Sequence, residues 1–204
     1  MATPRPLIIG LPTGPQAPYP LRMEGRVIRG FGRGSKELGI PTANLPVDNN
    51  LIPWVSTIKP GAYFGWASLS LNTSQPTILS YTTTSTSTTV ATETRSKFSV
   101  YPMVMSIGHN PFYRNEDRSA EVHVLHEFGA DFYDIEMRVL IMGFIREERN
   151  YPDQQALIDD INLDCDVARR SLEREAWSLR ETGNGTLDGS WLVRDIAGGK
   201  GAVA

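Results

Sequence analysis

Short apolar runs separated by turn-forming residues dominate the chain up to about residue 150. The run from Ala120 to His126 shows the alternation that is typical of a half-buried strand. Its even-numbered positions are apolar as far as Val124, whereas Glu121 and His123 fall on the other face. The other predicted strands are Arg26–Arg29, Ala62–Leu69, Met103–Ile107 and Met137–Ile145. Because no helical pattern intervenes, the runs predict an antiparallel sheet or barrel.

The hydrophobic period changes after Pro152. Apolar residues then recur at steps of three and four: Leu157, Ile161, Cys165, Ala168, Leu172, Ala176 and Leu179. This pattern predicts one amphipathic helix from about Asp153 to Glu181, with Asp153 as its N-cap and Gly183 as its stop signal. Cys165 lies on the apolar stripe and is interpreted as a small core residue.

Three segments depart from these patterns. Residues 1–21 are rich in proline and predict an extended arm. Residues 72–99 form a Ser/Thr-rich insertion, interpreted as a mobile loop with an extended hairpin as the alternative. Residues 183–204 are interpreted as a loosely ordered tail, with Trp191 and Leu192 able to dock it locally.

Composition narrows the functional classes. The 204 residues predict one domain with appended segments, and the formal net charge of −3 argues against a general nucleic-acid or anionic-membrane binder. With one cysteine and no long apolar run, the sequence predicts a protein of a reducing compartment without a membrane span. The expected location is the cytoplasm, with mitochondria as the alternative, and a monomer is expected because one barrel satisfies the helix stripe.

The stretch GFGRGSKELGIPTAN, residues 30–44, combines the glycines and cations of a phosphate-binding loop. It matches neither standard nucleotide motif: Gly34 and Gly39 have the Walker A spacing, but Ile40-Pro41 follow where Lys and Ser/Thr are needed. The dinucleotide fingerprint fails as well, since Ser35 stands where its third glycine belongs.

The residues of this stretch still fit an anion and a metal. Glycine N–H groups at Gly30 and beyond can approach phosphate closely, and Lys36 adds a positive charge. Pro41 stiffens the chain, and beyond it Thr42 and Asn44 point to one side of an extended segment. Their hydroxyl and amide oxygens suit Mg²⁺. A plain glycine-rich turn with a polar strand edge is the alternative.

Glu121, His123 and His126 form a second candidate group. A glutamate in a strand is usually a solvated surface residue, although a catalytic role is the alternative. His123 and His126 are three residues apart, so on a strand they would face opposite sides, and no cysteine is near. A zinc cluster is therefore not favoured.

Taken together, the motifs closely resemble riboflavin kinases of the eukaryotic monofunctional type. The motifs are GFGRGSKELGIPTAN at 30–44, Ser106-Ile-Gly108, Asn110-Pro111, Glu121-x-His123, Asp131-Phe-Tyr133 and Gly143-x-x-Arg146. The resemblance covers about residues 22–180, and it implies a catalytic domain at 22–182. The implied fold is mainly β, a six-stranded antiparallel Greek-key barrel with a long C-terminal α-helix.

The resemblance also implies the chemistry and its residues. ATP would phosphorylate the ribityl 5′-hydroxyl of riboflavin to give FMN, with Glu121 as general base and Mg²⁺, or alternatively Zn²⁺, on Thr42 and Asn44. Glu121 and Arg146 would contact the flavin. The implied nucleotide-binding residues are Gly30, Lys36, Pro41, Thr42, Asn44, His126, Phe132 and Tyr133. The His-x-Gly-His motif of the adenylyltransferase domain in bacterial relatives is absent, so FMN is the expected end product.

Two other functions are compatible with parts of the sequence. A non-catalytic flavin- or nucleotide-binding barrel would have the same shape without a base. An RNA-binding barrel is suggested by Arg29-Gly-Phe-Gly-Arg33, but the net charge of −3 argues against it. The expected partners are therefore the small molecules riboflavin and ATP, without nucleic acid or membrane.

Overall fold

The computed structural model describes residues 5–30, 38–70, 98–109 and 118–194. Its centre is one antiparallel six-stranded sheet, curled into a half-barrel, with the strand order β1-β6-β3-β4-β5-β2. The strands are β1 Leu21–Arg26, β2 Ala43–Leu45, β3 Gly61–Leu69, β4 Ser99–His109, β5 Arg118–Val124 and β6 Glu136–Glu147. An isolated bridge between Ile28 and Asn44 joins the chain just beyond β1 to β2, the strand at the other edge.

The predicted mainly β fold of six antiparallel strands with a C-terminal helix is confirmed, but several boundaries are different. The predicted strand Arg26–Arg29 is wrong, because β1 ends at Arg26. Strands β4 and β6 have 11 and 12 residues, longer than predicted. Strand β2 has only three residues, too few for a hydrophobic period to appear.

The sheet buries both of its faces. Along β3 every residue is buried, and successive side chains enter different clusters. Tyr63 belongs to the core inside the curl, together with Met105, Val122 and Ile141. Phe64, its neighbour, belongs to a second core on the outer face. This double burial explains why the run Ala62–Leu69 is almost continuously apolar.

Helix α1, Gln154–Leu172, covers part of the outer face. Asp153 is its N-cap, as predicted, and accepts a hydrogen bond from the Ala156 N–H at 2.8 Å. Cys165 is buried on the packed side, which confirms its interpretation as a core residue. The helix ends at Leu172, well before the predicted end at Glu181.

The early end of α1 has a packing reason. The chain turns so that the Trp177 ring stacks on Phe64, with the ring centroids 5.7 Å apart. The Trp177 carbonyl accepts a hydrogen bond from the Trp66 indole N–H at 3.0 Å. Gly183, the predicted helix stop, instead follows a single 3₁₀ turn, Arg180–Thr182, where its φ of 85° suits glycine.

The two flanking segments pack against the domain. In the N-terminal arm, the Ile9 N–H donates to Ser171 Oγ at 3.0 Å, and the Trp177 indole donates to the Leu11 carbonyl at 2.8 Å. In the C-terminal tail, residues 184–194 are docked through Leu192, as the sequence analysis allowed. There, helix α2, Ser190–Val193, buries Leu192 completely, and Ser68 Oγ donates to the Leu192 carbonyl at 2.8 Å.

Most of the predicted insertion, residues 72–97, lies outside the described residues, as do Lys36 and Asn110-Pro111. At its C-terminal end the prediction extends too far, because Phe98 is buried and Ser99 opens β4. Within the described ranges, no helix combines the length and apolar character that crossing a membrane requires.

Candidate active site

The short strand β2 brings two predicted site residues together. In the antiparallel register of β2 and β5, Asn44 pairs directly with Glu121. In the register of β4 and β5, Glu121 pairs with Ser106. Directly opposed residues have Cβ atoms about 4.5–5.5 Å apart, so the amide and the carboxylate are neighbours.

Asn44 and Glu121 begin a row of polar side chains. Thr42 belongs to the same row, because it precedes Asn44 by two positions along the extended chain. The intervening Ala43 and the opposing Val122 point into the inner core. Thr42, Asn44, Glu121 and His123 are all half-buried. Since side chains alternate across a strand, the four polar groups lie on the outer face, the same face that α1 covers.

Gly30 packs against this row from the loop that follows β1. A Cβ atom at Gly30 would lie 2.4 Å from the Asn44 Nδ2 atom, so no other residue fits without moving the amide. The backbone of Asn44 is also fixed, because its carbonyl accepts a hydrogen bond from the Ile28 N–H at 2.9 Å.

Two cavities adjoin the row, with volumes of about 540 and 580 Å³. Thr42 and His123 line both, so they form a shared wall. The predicted residues Pro41, His126, Phe132 and Tyr133 line the first cavity, and Glu121 and Arg146 line the second. The two predicted flavin-binding residues therefore share one cavity. Gly30 and Asn44, which are predicted to bind the nucleotide, line neither cavity.

His123 holds one side of the shared wall. Its Nδ1 lies 2.8 Å from the Pro41 carbonyl, which can only accept, so Nδ1 carries the hydrogen. Burial lowers the pKa of His123 below its ordinary value, and the hydrogen bond to Pro41 opposes that effect. The ring therefore fixes the backbone immediately before Thr42.

His126 lines the first cavity together with His123, contrary to the expectation that they face opposite sides. Strand β5 ends at Val124, and the His126 N–H turns back to the Val124 carbonyl at 2.8 Å, so the strand alternation no longer applies. The His126 ring stacks on Tyr101 with centroids 4.5 Å apart.

The rest of that cavity rim is aromatic. Phe128 meets Phe132 edge to face at 4.9 Å, and the Arg29 guanidinium lies 4.5 Å above the Tyr133 ring. Flat rings around a cavity suit the stacking of a planar base. The sequence pattern placed Phe132 and Tyr133 here only through the family resemblance.

The second cavity has a more ionic wall. It is lined by Glu121, Ser106, Arg146 and Asp164, with Tyr151 near the start of α1. The guanidinium of Arg146 is already engaged, because its Nη2 lies 2.8 Å from Asp164 Oδ2. Arg146 thus presents a fixed side chain to the cavity.

One cationic residue that lines the first cavity was not among the predicted site residues. Arg169 of α1 lines this cavity although it is half-exposed, whereas Arg170 beside it lines neither. Arg169 lies four residues after Cys165 on the helix stripe, so helical spacing would have placed it on the sheet side.

Comparison with known proteins identifies the family of this site. The family model described as "Flavokinase: Riboflavin kinase" matches residues 17–172. The chain belongs to the riboflavin kinase family. The predicted family is therefore confirmed, and with it the assignment to a family of phosphate-transferring enzymes.

Curated relatives agree over nearly their whole length. Riboflavin kinase from Pyricularia oryzae is 56% identical over 205 residues, covering 95% of this chain and 96% of the relative. The riboflavin kinase from Neurospora crassa is 51% identical over 230 residues, covering 93% and 97%.

A solved member of the riboflavin kinase family has the same fold. The crystal structure of riboflavin kinase from Trypanosoma brucei superposes with a TM-score of 0.54 at 26% sequence identity. The match covers 78% of this chain and 83% of that chain.

Proposed function

We propose that this chain transfers the γ-phosphate of ATP to the ribityl 5′-hydroxyl of riboflavin, producing FMN. The observation that carries the proposal is the pairing of Asn44 with Glu121 next to Thr42 and His123, the two residues that line both cavities. ATP would occupy the cavity of His126, Phe132 and Tyr133. Riboflavin would occupy the cavity of Glu121 and Arg146.

Glu121 is the proposed general base. A carboxylate oxygen can accept the proton of a hydroxyl that attacks phosphorus. Its place on the riboflavin side of the row supports this role, because the hydroxyl and the phosphate would meet at the wall shared by Thr42 and His123. General-base assistance is typically worth about 10²- to 10⁴-fold in rate.

Thr42 and Asn44 fit a divalent cation. The absence of a side chain at Gly30 leaves space for the Asn44 amide, which lies beside Glu121. A hydroxyl and an amide oxygen are hard ligands that suit Mg²⁺, with Zn²⁺ as the alternative. When bound, the ion would neutralise negative charge on the phosphates.

Several chain groups complete the proposed nucleotide site. Backbone N–H groups of the glycine-rich loop from Gly30, with Lys36, would donate to phosphate oxygens. Pro41 would hold Thr42 in place through the His123 hydrogen bond. These contacts stabilise charge as it develops, which is the main requirement of phosphoryl transfer.

The proposed catalytic unit is residues 22–182, acting as a monomer in the cytoplasm. The packed β-sheet and α1 support that unit, since both cavities are lined by residues 38–169. The single cysteine of the chain supports a reducing compartment.

Glu121→Gln tests the proposal. The amide keeps the shape and cannot accept the proton, so kcat for fluorescence-detected FMN formation should fall by about 10²-fold or more, with ATP binding retained. Glu175→Gln, an exposed glutamate beyond α1, is the matched control and should leave kcat unchanged.

Two results would contradict the proposal. Near-normal turnover by Glu121→Gln would remove Glu121 from the role of base. Wild-type protein that binds riboflavin and ATP yet forms no FMN would favour the non-catalytic barrel instead.

A further inference from the structure

Two guanidiniums and two carboxylates meet beside α1. Arg5, from the N-terminal arm, places Nη1 2.6 Å from Asp164 Oδ1 and Nη2 2.7 Å from Asp160 Oδ1. Arg146, near the end of β6, places Nη2 2.8 Å from Asp164 Oδ2 and Nε 3.0 Å from Asp160 Oδ2. Each carboxylate is therefore shared by both arginines, and Asp164 Oδ1 also accepts a hydrogen bond from Arg146 Nε at 3.2 Å.

This group of four is buried and balanced in charge. Asp164 is 1% exposed, Asp160 is 15% exposed, and each arginine side chain is 10% exposed. Burial raises the pKa of Asp164 above its ordinary value. Burial also acts to raise the pKa of Asp160. The hydrogen bond from the Tyr151 hydroxyl and the charge of Arg146 outweigh burial, so the pKa of Asp160 lies below its ordinary value.

Two members of this group line the proposed riboflavin cavity, and the other two do not. Arg146 and Asp164 line that cavity, whereas Arg5 and Asp160 do not. Arg149 also approaches Asp160, at 3.8 Å, but its side chain is 56% exposed, so water screens its charge. Arg5 is thus the buried cation that balances the second carboxylate.

We propose that Arg5 is a positioning residue for riboflavin, acting through Asp160 and Asp164 to hold Arg146 at the cavity wall. The inference rests on the proposed function, because it assigns riboflavin to this cavity. Arg5 does not touch the substrate in this arrangement.

The consequence of losing Arg5 follows from counting charges. Two buried carboxylates would then compete for the one remaining buried guanidinium, and an unpaired buried charge is strongly unfavourable. Arg146 would be drawn between Asp160 and Asp164, or water would enter the group. Either change moves the wall that contacts riboflavin and leaves the ATP cavity untouched.

The arm is anchored to the domain independently of these charges. The Ile9 N–H donates to Ser171 Oγ at 3.0 Å, and Arg174 Nη1 donates to the Gly10 carbonyl at 2.9 Å. Substituting Ser171 therefore weakens docking of the arm without altering the number of charges, which separates the two effects.

Arg5→Met is the direct test. The KM for riboflavin should rise about tenfold, together with the Kd from quenching of riboflavin fluorescence, while the KM for ATP stays within about twofold. Arg5→Lys should be intermediate, because an ammonium cannot bridge two carboxylates in the way that a planar guanidinium does.

A charge-balanced double variant sharpens the test and covers the case in which Arg5→Met fails to fold. Arg5→Met with Asp160→Asn leaves one guanidinium facing one carboxylate, so the riboflavin KM should return to within about threefold of wild type. Ser171→Ala, the control for docking of the arm, should leave the riboflavin KM unchanged.

Each contrary result has a distinct meaning. A lower melting temperature of Arg5→Met with an unchanged riboflavin KM, or an equal rise of that KM in Ser171→Ala, would overturn the inference. No restoration in the double variant would also overturn it. Absence of FMN formation by the wild type would instead refute the proposed function.

Discussion

At the scale of single residues, Gly30 and Asn44 depend on each other. Gly30→Ala would place a methyl group 2.4 Å from the Asn44 amide nitrogen and so displace the proposed metal ligand. We expect the Mg²⁺ concentration for half-maximal FMN formation to rise about tenfold or more. Asn44→Ala should have the same effect, and a metal titration of initial rates measures both.

Gly129→Ala is the matched control, because a Cβ atom there meets nothing within 4 Å. Its metal requirement should equal that of the wild type. Identical titrations for Gly30→Ala and the wild type would mean that Asn44 does not hold the ion.

Arg169 and Arg170 allow a second comparison at this scale. Both side chains are exposed on α1. Of these two arginines, Arg169 lines the first cavity and Arg170 does not. Arg169→Gln should raise the KM for ATP about threefold, because a half-exposed cation attracts the phosphates only weakly through water. The rise should be smaller in high salt, since salt screens this attraction.

Arg170→Gln should leave the KM for ATP unchanged under the same conditions. Equal effects of the two substitutions would indicate a general loss of positive charge. The first cavity would then have no specific need for Arg169.

At the scale of elements, the hairpin of β3 and β4 separates the insertion from the site. Ala62 pairs with Ser106 at the site end, whereas Leu69 pairs with Ser99 at the other end. Seven residues of strand correspond to about 23 Å. Deleting residues 74–96 should therefore keep kcat/KM for both substrates within about twofold, as measured by FMN formation.

The deletion has a simple thermodynamic reason to be tolerated. The loop-closure term changes only slowly with loop length, so a shorter connection between Ser70 and Phe98 costs little. A folded deletion variant without activity would contradict this prediction and assign the insertion a part in the reaction.

The predictability of the elements follows their length and burial. Strand β3 could be predicted because all nine residues are buried and almost all of them are apolar. Strand β2 could not, since three residues carry no period and its pairing with β5 is a distant contact. The end of α1 was missed because Ala176 and Leu179 continue the helical spacing although they pack on the outer core from beyond the helix.

At the scale of the whole molecule, Cys165 reports on the integrity of the packing. Burial raises the pKa of this thiol to about 11, and the side chain lies in the outer core. A thiol-reactive reagent at pH 8 should leave the native protein unmodified and label one cysteine per chain in guanidinium chloride.

The same thiol has a defined effect on stability against pH. Its folded pKa is raised, so the folded state retains a proton that the unfolded state loses between about pH 8.5 and 11. The contribution of Cys165 to stability is therefore present below this range and lost as pH rises through it. Immediate stoichiometric labelling of the native protein would show that Cys165 is accessible.

The candidate site was only partly accessible to sequence reasoning. The two-residue period placed Thr42 and Asn44 on one side, because that relation is local. The partnership of Asn44 with Glu121 came only through resemblance, since 77 positions separate them along the chain. The group around Arg5 was missed altogether, because more than 150 positions separate Arg5 from Asp160 and Asp164 along the chain.

The shared wall of Thr42 and His123 has a kinetic consequence. If ATP and riboflavin occupy the two adjacent cavities as proposed, both are present at once, and the phosphoryl group would pass in one in-line displacement without a phosphorylated enzyme. Such a ternary complex gives intersecting double-reciprocal plots and inversion of configuration at phosphorus.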